Sequence, residues 1–319
     1  MSIFDTLKFG GIEIGNVQSV DEMTLVPILG DERGEVAKPS SLSFKQTTSY
    51  GTMVFENNDT KEAIIPSNMM VRGRGAQDHA MAGSGVVLQK QSRSFDNACC
   101  IEESQGGFLS GAEETDVLPI TLRKALLNQS IRSRNSYQKL WGKIRGWLEG
   151  LNLRSRHGGH LRYFYDEPDV KKALEDFAAE FEPVDNQIGA IIMFSGVPVG
   201  IEIMPSNEHW EEYWKLLVRG CYGAEMIRLK MLGKLKPSTL IMPEIPKDAD
   251  PSQVKQILES FTQHLRDDVL PLMENIEVKT QDVVGRDGSL QTNMLQTTSG
   301  GGGDLILQGN QPVYLSLVL

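Results

Sequence analysis

The stretch NQIGAIIMFSGVPVGIEI at 186–203 holds two apolar runs, 188–194 and 197–203, split by Ser195-Gly196. Short apolar runs across a two-residue glycine break read as a β-hairpin. A hairpin in mid-chain means antiparallel pairing. The elements on either side then decide between an alternating βαβ order and an α+β fold.

Downstream, Ser206 is a good N-cap for a helix with Trp210, Tyr213, Leu217 and Cys221 on one side. Residues 231–250 bear prolines and read as a connector. Asp250-Pro251 opens another helix, aspartate as cap and proline at its first position, carrying Val254, Ile257, Leu258, Phe261 and Leu265. After a glycine loop at 299–303, the tail reads as strands that include 304–308 and 313–318.

Upstream, a helix starts near Pro168 with Val170, Leu174, Phe177 and Phe181 facing inward. Residues 120–150 have helical spacing, with Leu140, Trp141, Ile144, Trp147, Leu148 and Leu151 on one apolar face. Residues 1–118 read mostly as strands and turns: 23–31 ended by Gly30-Asp31, Leu42-Ser43-Phe44, 52–56, 63–65 cut off by Pro66, 86–88 and 98–101. There is no internal repeat. Strands first, helices in the middle and strands last predict an α+β fold. Its sheet is mixed, mainly antiparallel and built from N- and C-terminal strands, with a central group of helices. The expected organisation is one α+β domain over 1–319: strand-rich 1–118, basic helical 119–162, helix-hairpin-helix 163–230, connector 231–250, then a helix and closing strands at 251–319.

The chain has 319 residues, 40% hydrophobic and 23% charged, enough apolar content for a sizeable core in a soluble protein. A net charge of −10 gives no general attraction to nucleic acid or anionic lipid. No apolar run of about 18 residues suggests a membrane span, and MSIFDTLKFGG at the start lacks the features of a secretory signal. Cys99, Cys100 and Cys221 are too few, and odd in number, for a disulfide framework. These features point to reduced thiols and a cytoplasmic location.

Chemistry is most concentrated in FDNACCIEESQGG at 95–107. On a strand, Cys100 and Glu102 share a face and Cys99 points the other way. Cys100 is therefore a candidate nucleophile and Glu102 a candidate general base beside a glycine turn. The competing reading is a strand of small buried thiols, since a nucleophilic cysteine needs a partner that lowers its pKa. A second feature is charge. From 121 to 162, ten basic residues face Glu149 alone, a net +9 that leaves −19 for the remainder. Such a segment fits a phosphate-bearing ligand or an acidic partner; equally, it fits a cationic face balanced by carboxylates elsewhere in the fold. Nucleic acid is not expected, because Trp141 and Trp147 lie in the apolar stripe. His157-Gly-Gly-His160 lacks further ligands at zinc spacing, so no metal is expected. Gly73-Arg74-Gly75 and Gly83-Ser84-Gly85 lack the third glycine of a dinucleotide fingerprint, so no cofactor is expected. The glycines at 299–303 read as a flexible linker rather than a ligand loop.

Several segments taken in order resemble one family, the ADP-ribosylglycohydrolase- and rhodanese-phosphatase-associated protein domain, whose function is unknown. Residues 23–30 are similar to its opening strand around a proline, and 42–56 to its next pattern. Gln77-Asp78 stands where the family has Gln-Asn. Cys100-Ile101-Glu102 with Gln105-Gly106 resembles its Cys-Val-Glu-Gln-Gly segment, and Ser136, Gln138 and Trp141 match its Ser-x-Gln-x-x-Trp helix. Residues 186–201 resemble its Asn-Gln-x-Gly hairpin, and 309–319 its closing strand. The chain departs from the pattern in three places. Ser67-Asn68-Met69 replaces a Gly-Glu-Glu turn, Gly107-Phe108 replaces Arg-Trp after the glycine, and Tyr314 replaces a histidine.

The resemblance implies genomic company with ADP-ribose and phosphate chemistry. The expected function is binding of a nucleotide or ADP-ribose-like molecule, with turnover left open. Glu102 and Gln138 would orient polar groups, Gln77 and Asn186 would hydrogen-bond the ligand, and Arg132 or Arg134 would meet phosphate. The alternatives are a structural or interaction protein, such as a homo-oligomer or a subunit of a larger or viral assembly, and thiol chemistry at Cys100.

Overall fold

The computed structural model describes residues 3–103, 106–134, 136–153, 159–237, 243–274 and 276–319, leaving aside the side chains of 265, 266, 268–270 and 272. His157, Gln105 and the Leu265 side chain, named above, lie outside this set, as do Arg154 and Arg156 of the cationic segment.

The fold is α+β. Its centre is an antiparallel nine-stranded sheet that draws on both ends of the chain. The spatial order is Glu13–Ile14, Met23–Leu29, Gln187–Phe194, Val197–Ile203, Gln311–Val318, Gly302–Gln308, Leu290–Thr297, Val278–Asp287, with Gln18–Val20 also on Met23–Leu29. The hairpin sits mid-sheet. Its turn residues Ser195 and Gly196 have φ of 51° and 80°, the pair of left-handed conformations that suits the twist of two paired strands.

Strand periodicity then divides the sheet into two buried faces. Ile201, Ile203, Leu305, Leu315 and Leu317 face one core with Ile3, Phe4 and Met273. Ile192, Ile306, Tyr314 and Val318 face the other, with Phe177, Trp210, Leu217 and Tyr222 from the helices. Glu202, Ser316 and Asp304 are cross-strand partners in one row. They share parity with Tyr314 and Ile306, so this polar row lies under the helical layer.

That layer contains Ile120–Leu126, Trp141–Leu148, Pro168–Ala179 and the run from Asn207 to Met231. Ser206 caps the last of these, its hydroxyl accepting the His209 N–H at 3.3 Å. Residues Leu216–Gly223 in its middle are π-helical, carrying Cys221 and Tyr222 into the interior and Arg219 to Asp116. Asp250 caps Pro251–Glu274, with Oδ1 accepting from the N–H groups of Ser252 at 2.8 Å and Gln253 at 3.0 Å. No helix among the described residues is long and apolar enough to cross a membrane.

Two expectations change. Residues 98–101 form only a two-residue strand, Cys99–Cys100, because the chain turns at once to bridge Glu102 with His160. The glycines at 302 and 303 belong to a strand rather than a flexible linker: a Cβ on Gly303 would lie 1.9 Å from the Ser316 carbonyl oxygen. The outermost strand, Val278–Asp287, exposes Val283 and Val284 but carries two register shifts, a common guard on an open edge.

Candidate functional site

Strands Cys99–Cys100, His79–Ala80, Met69–Arg72 and Glu114–Val117 form a second, four-stranded antiparallel sheet in that order. Arg72 stands opposite Glu114 in the ladder. The period of two puts Asp116 on the same face as Glu114, so both carboxylates reach one guanidinium. Arg72 Nη2 donates to Glu114 and, at 2.8 Å, to Asp116 Oδ2; Nη1 lies 3.5 Å from Asp166 Oδ1. Its guanidinium carbon sits 4.6 Å above the Tyr165 ring. Asp116 is itself shared, accepting from Arg219 Nη2 at 2.6 Å.

Beside it lies a second charge cluster. Arg162 opens the short helix Arg162–Tyr165, which ends at Asp166. Its Nε donates to Asp78 Oδ2 at 3.0 Å, its Nη2 donates to Asp78 Oδ1 and to the Gly73 carbonyl, and its Nε lies 3.5 Å from Glu102 Oε1. Asp78 also accepts the Gly73 N–H at 3.0 Å, and Glu102 Oε2 accepts the Asp78 N–H at 3.1 Å. His160 Nδ1 stands 3.6 Å from Glu102 Oε1. Burial pushes the Asp78 carboxyl up to about 6 against the pull of Arg162, and the neighbouring Glu102 adds to the rise. Glu102 is raised as well, by burial first, opposed by Arg162 and the Asp78 N–H. Two carboxylates thus share one guanidinium, and burial raises both above the ordinary carboxylate range.

Arg72, Gly73, Arg74, Glu113, Glu114, Arg162, Asp166 and Lys171 line a cavity of about 330 Å³ in front of these clusters. Four cationic and three anionic side chains surround it. A larger cavity of about 740 Å³, between 243–249 and the helix Pro251–Glu274, has only Asp248 and His264 as titratable lining. It offers far less for a charged ligand to hold.

The expected site residues divide. Glu102, Cys100 and Gln77 come together: Gln77 Nε2 donates to the Glu102 carbonyl at 2.9 Å, and the Cys100 thiol donates to the same oxygen at 3.1 Å. Gln77 Oε1 is buried with no hydrogen-bond partner among the described residues. Burial pushes the Cys100 thiol up to about 12, so it stays a thiol at neutral pH. Gln138 follows Tyr137, whose carbonyl accepts the Cys100 N–H, yet its own side chain is exposed and donates to the Tyr137 hydroxyl. Asn186 is an exposed turn residue with φ of 59°, its carbonyl accepting the Gly30 N–H. Arg134 is exposed.

Arg132 sits in another cluster. Its Nη2 donates to buried Asp304 Oδ1 at 2.6 Å, and Asp304 Oδ2 accepts from the Ser67 hydroxyl and, at 2.7 Å, from the Ser84 N–H. Gly83 makes room for this, since a Cβ there would lie 2.0 Å from Arg132 Nη2. The Gly83-Ser84-Gly85 stretch therefore cradles a guanidinium. Two departures from the family pattern meet here, because Tyr314 Oη accepts the Ser67 N–H at 2.8 Å. The third adjoins the Glu102 cluster, where the Gly107 carbonyl accepts the Gln77 N–H at 3.3 Å.

Four of the ten basic residues of the cationic segment pair with carboxylates from other parts of the chain. Arg123 pairs with Glu202, Arg132 with Asp304, Arg145 with Glu103 and Arg162 with Asp78, each partner coming from outside 121–162. The members of these clusters that sequence reasoning passed over as candidate-site residues are Arg72, Asp78, Glu114, Asp116, Arg162 and Asp166. Their nearest signal is Arg72 immediately before Gly73-Arg74-Gly75.

A family model, the ARG and Rhodanese-Phosphatase-superfamily-associated Protein domain, matches residues 11–299. The chain belongs to this family, the one its motifs resemble. The comparisons with curated proteins and with solved structures gave no match.

Proposed function

We propose that this chain binds a small phosphate-bearing molecule, of the nucleotide or ADP-ribose kind, in the cavity above Arg72 and Arg162. The supporting observation is the pair of cavity-lining guanidiniums with donors left over. Arg162 Nη1 has no protein acceptor among the described residues, and Arg72 Nη1 has only the long contact to Asp166. Arginine forks match phosphate oxygens well, and a fixed guanidinium loses little freedom on binding. Asp78, Glu102 and Asp116 fix both forks from behind. A volume of about 330 Å³ accommodates the phosphate-bearing end of such a ligand. Glu102 and Gln77 then act through Arg162 and Asp78 as positioning groups. This reading is preferred to an assembly role because four cations of the segment, Arg123, Arg132, Arg145 and Arg162, already have carboxylate partners within the chain.

Isothermal titration calorimetry with ADP-ribose tests it. Wild-type chain is expected to give saturable heat, and Arg162→Lys, which keeps the charge but loses the fork, is expected to bind about ten- to a hundredfold more weakly. Circular dichroism would verify that the variant is folded. No heat with ADP-ribose, NAD or pyrophosphate would overturn the reading.

A further inference from the structure

We infer that Asp166 occupies the place of the ligand's phosphate, so that binding exchanges one anion for another at Arg72. The inference rests on the cavity being the ligand site. Three carboxylates meet the Arg72 guanidinium, and they are not equivalent. Glu114 and Asp116 lie on a strand paired with that of Arg72, and both hold Nη2. Asp166 follows the short helix Arg162–Tyr165, its side chain is 57% exposed, and it reaches Nη1 at only 3.5 Å. A rotation about its side-chain bonds would take it into solvent without exposing any core residue.

The nitrogen it faces, Arg72 Nη1, is one of the two guanidinium nitrogens assigned to the phosphate, with Arg162 Nη1 the other. The pyrophosphate of ADP-ribose carries two negative charges and four non-bridging acceptor oxygens, enough to meet Arg72 Nη1 and Arg162 Nη1 together. Asp166 thereby sets the ligand class. A carboxylate already at the arginine is displaced only by a stronger anion, so a phosphate or pyrophosphate group is required and a neutral nucleoside is excluded. It also keeps the two arginines compensated while the cavity is empty.

Removing this competitor should tighten binding. At an effective dielectric near 20, deleting a like charge about 5 Å from the incoming anion is worth about tenfold or more. Calorimetry with ADP-ribose on the full chain would compare wild type, Asp166→Asn and Glu113→Gln. Glu113 lines the same cavity, but its ion-pair partner is the exposed Arg74 Nε at 3.8 Å rather than Arg72 or Arg162. Expected is a Kd about tenfold lower for Asp166→Asn and within about twofold of wild type for Glu113→Gln, with no heat from adenosine. Unchanged or weaker binding by Asp166→Asn, or an equal gain in both variants, would overturn the exchange while leaving the site standing. Absence of heat from wild type and Asp166→Asn alike would remove the site and the exchange together.

Discussion

Glu202→Ala is expected to destabilise the protein by about 3–5 kcal/mol, the usual loss when one member of a fully buried ion pair is removed. Glu202 and Arg123 are each 1% exposed and joined at 2.7 Å. Glu202 Oε1 also accepts the Tyr222 hydroxyl at 2.7 Å, and Arg123 donates to Ser316 and, at 3.3 Å, to the Cys221 sulfur. Burial alone would favour a neutral Arg123; the Glu202 charge outweighs it and keeps the guanidinium protonated. With the carboxylate gone, that buried charge loses its neutralising partner. The network is tight elsewhere too: Gly200 lets the phenol reach Glu202, since a Cβ there would sit 2.2 Å from Tyr222 Oη. Chemical denaturation at neutral pH measures the cost. Arg123→Met combined with Glu202→Leu should recover at least half of it, because an apolar pair leaves no buried charge. The residual loss belongs to Tyr222, whose hydroxyl then lacks its acceptor. A cost below about 1 kcal/mol for Glu202→Ala would contradict this account of the core.

Asp304→Ala is the second large effect, expected at about 3 kcal/mol near neutral pH. It removes the acceptor for the Arg132 guanidinium, the Ser67 hydroxyl and the Ser84 N–H. The penalty should depend on pH in a defined direction. Burial by itself would raise the Asp304 carboxyl, but the Arg132 charge and then the Ser67 and Ser84 hydrogen bonds hold it below the ordinary range. Its contribution is therefore fully present above the unfolded value of about 3.9 and is lost as pH falls through the lower folded value. Urea denaturation should show a wild-type advantage over Asp304→Ala that is large at pH 7 and shrinks in acid. An advantage that grows in acid would contradict the arrangement. Gly83→Ala should lose much of the same stability, because the new methyl would force Arg132 from its carboxylate.

These two clusters and the Glu102 site show what a sequence can and cannot disclose. The central hairpin was legible because apolar runs and a glycine turn are local features, and so were the helices begun by Ser206 and Asp250-Pro251. Met69–Arg72 and Glu114–Val117 were missed: each is four residues long, and their pairing joins segments far apart in the chain. The hairpin Val278–Asp287 with Leu290–Thr297 had a usable signal in Asp287-Gly288, where Gly288 has φ of 61°. At the candidate site, Glu102 and Gln77 were found through residue type and motif. Arg72, Asp78, Asp116, Arg162 and Asp166 come from separated segments, and nothing in their spacing says which cation meets which carboxylate. The +9 segment illustrates the same limit. Its charge was obvious, but its partners at Asp78, Glu103, Glu202 and Asp304 were visible only once the chain was folded.

The central claim is that Arg72 and Arg162 together receive a phosphate, and a crystal structure of the chain grown with saturating ADP-ribose tests it most directly. The account predicts phosphate oxygens within hydrogen-bond distance of Arg72 Nη1 and Arg162 Nη1, with the Asp166 side chain turned out to solvent. ADP-ribose held elsewhere on the chain, or a cavity without ligand and with Asp166 still against Arg72, would contradict it.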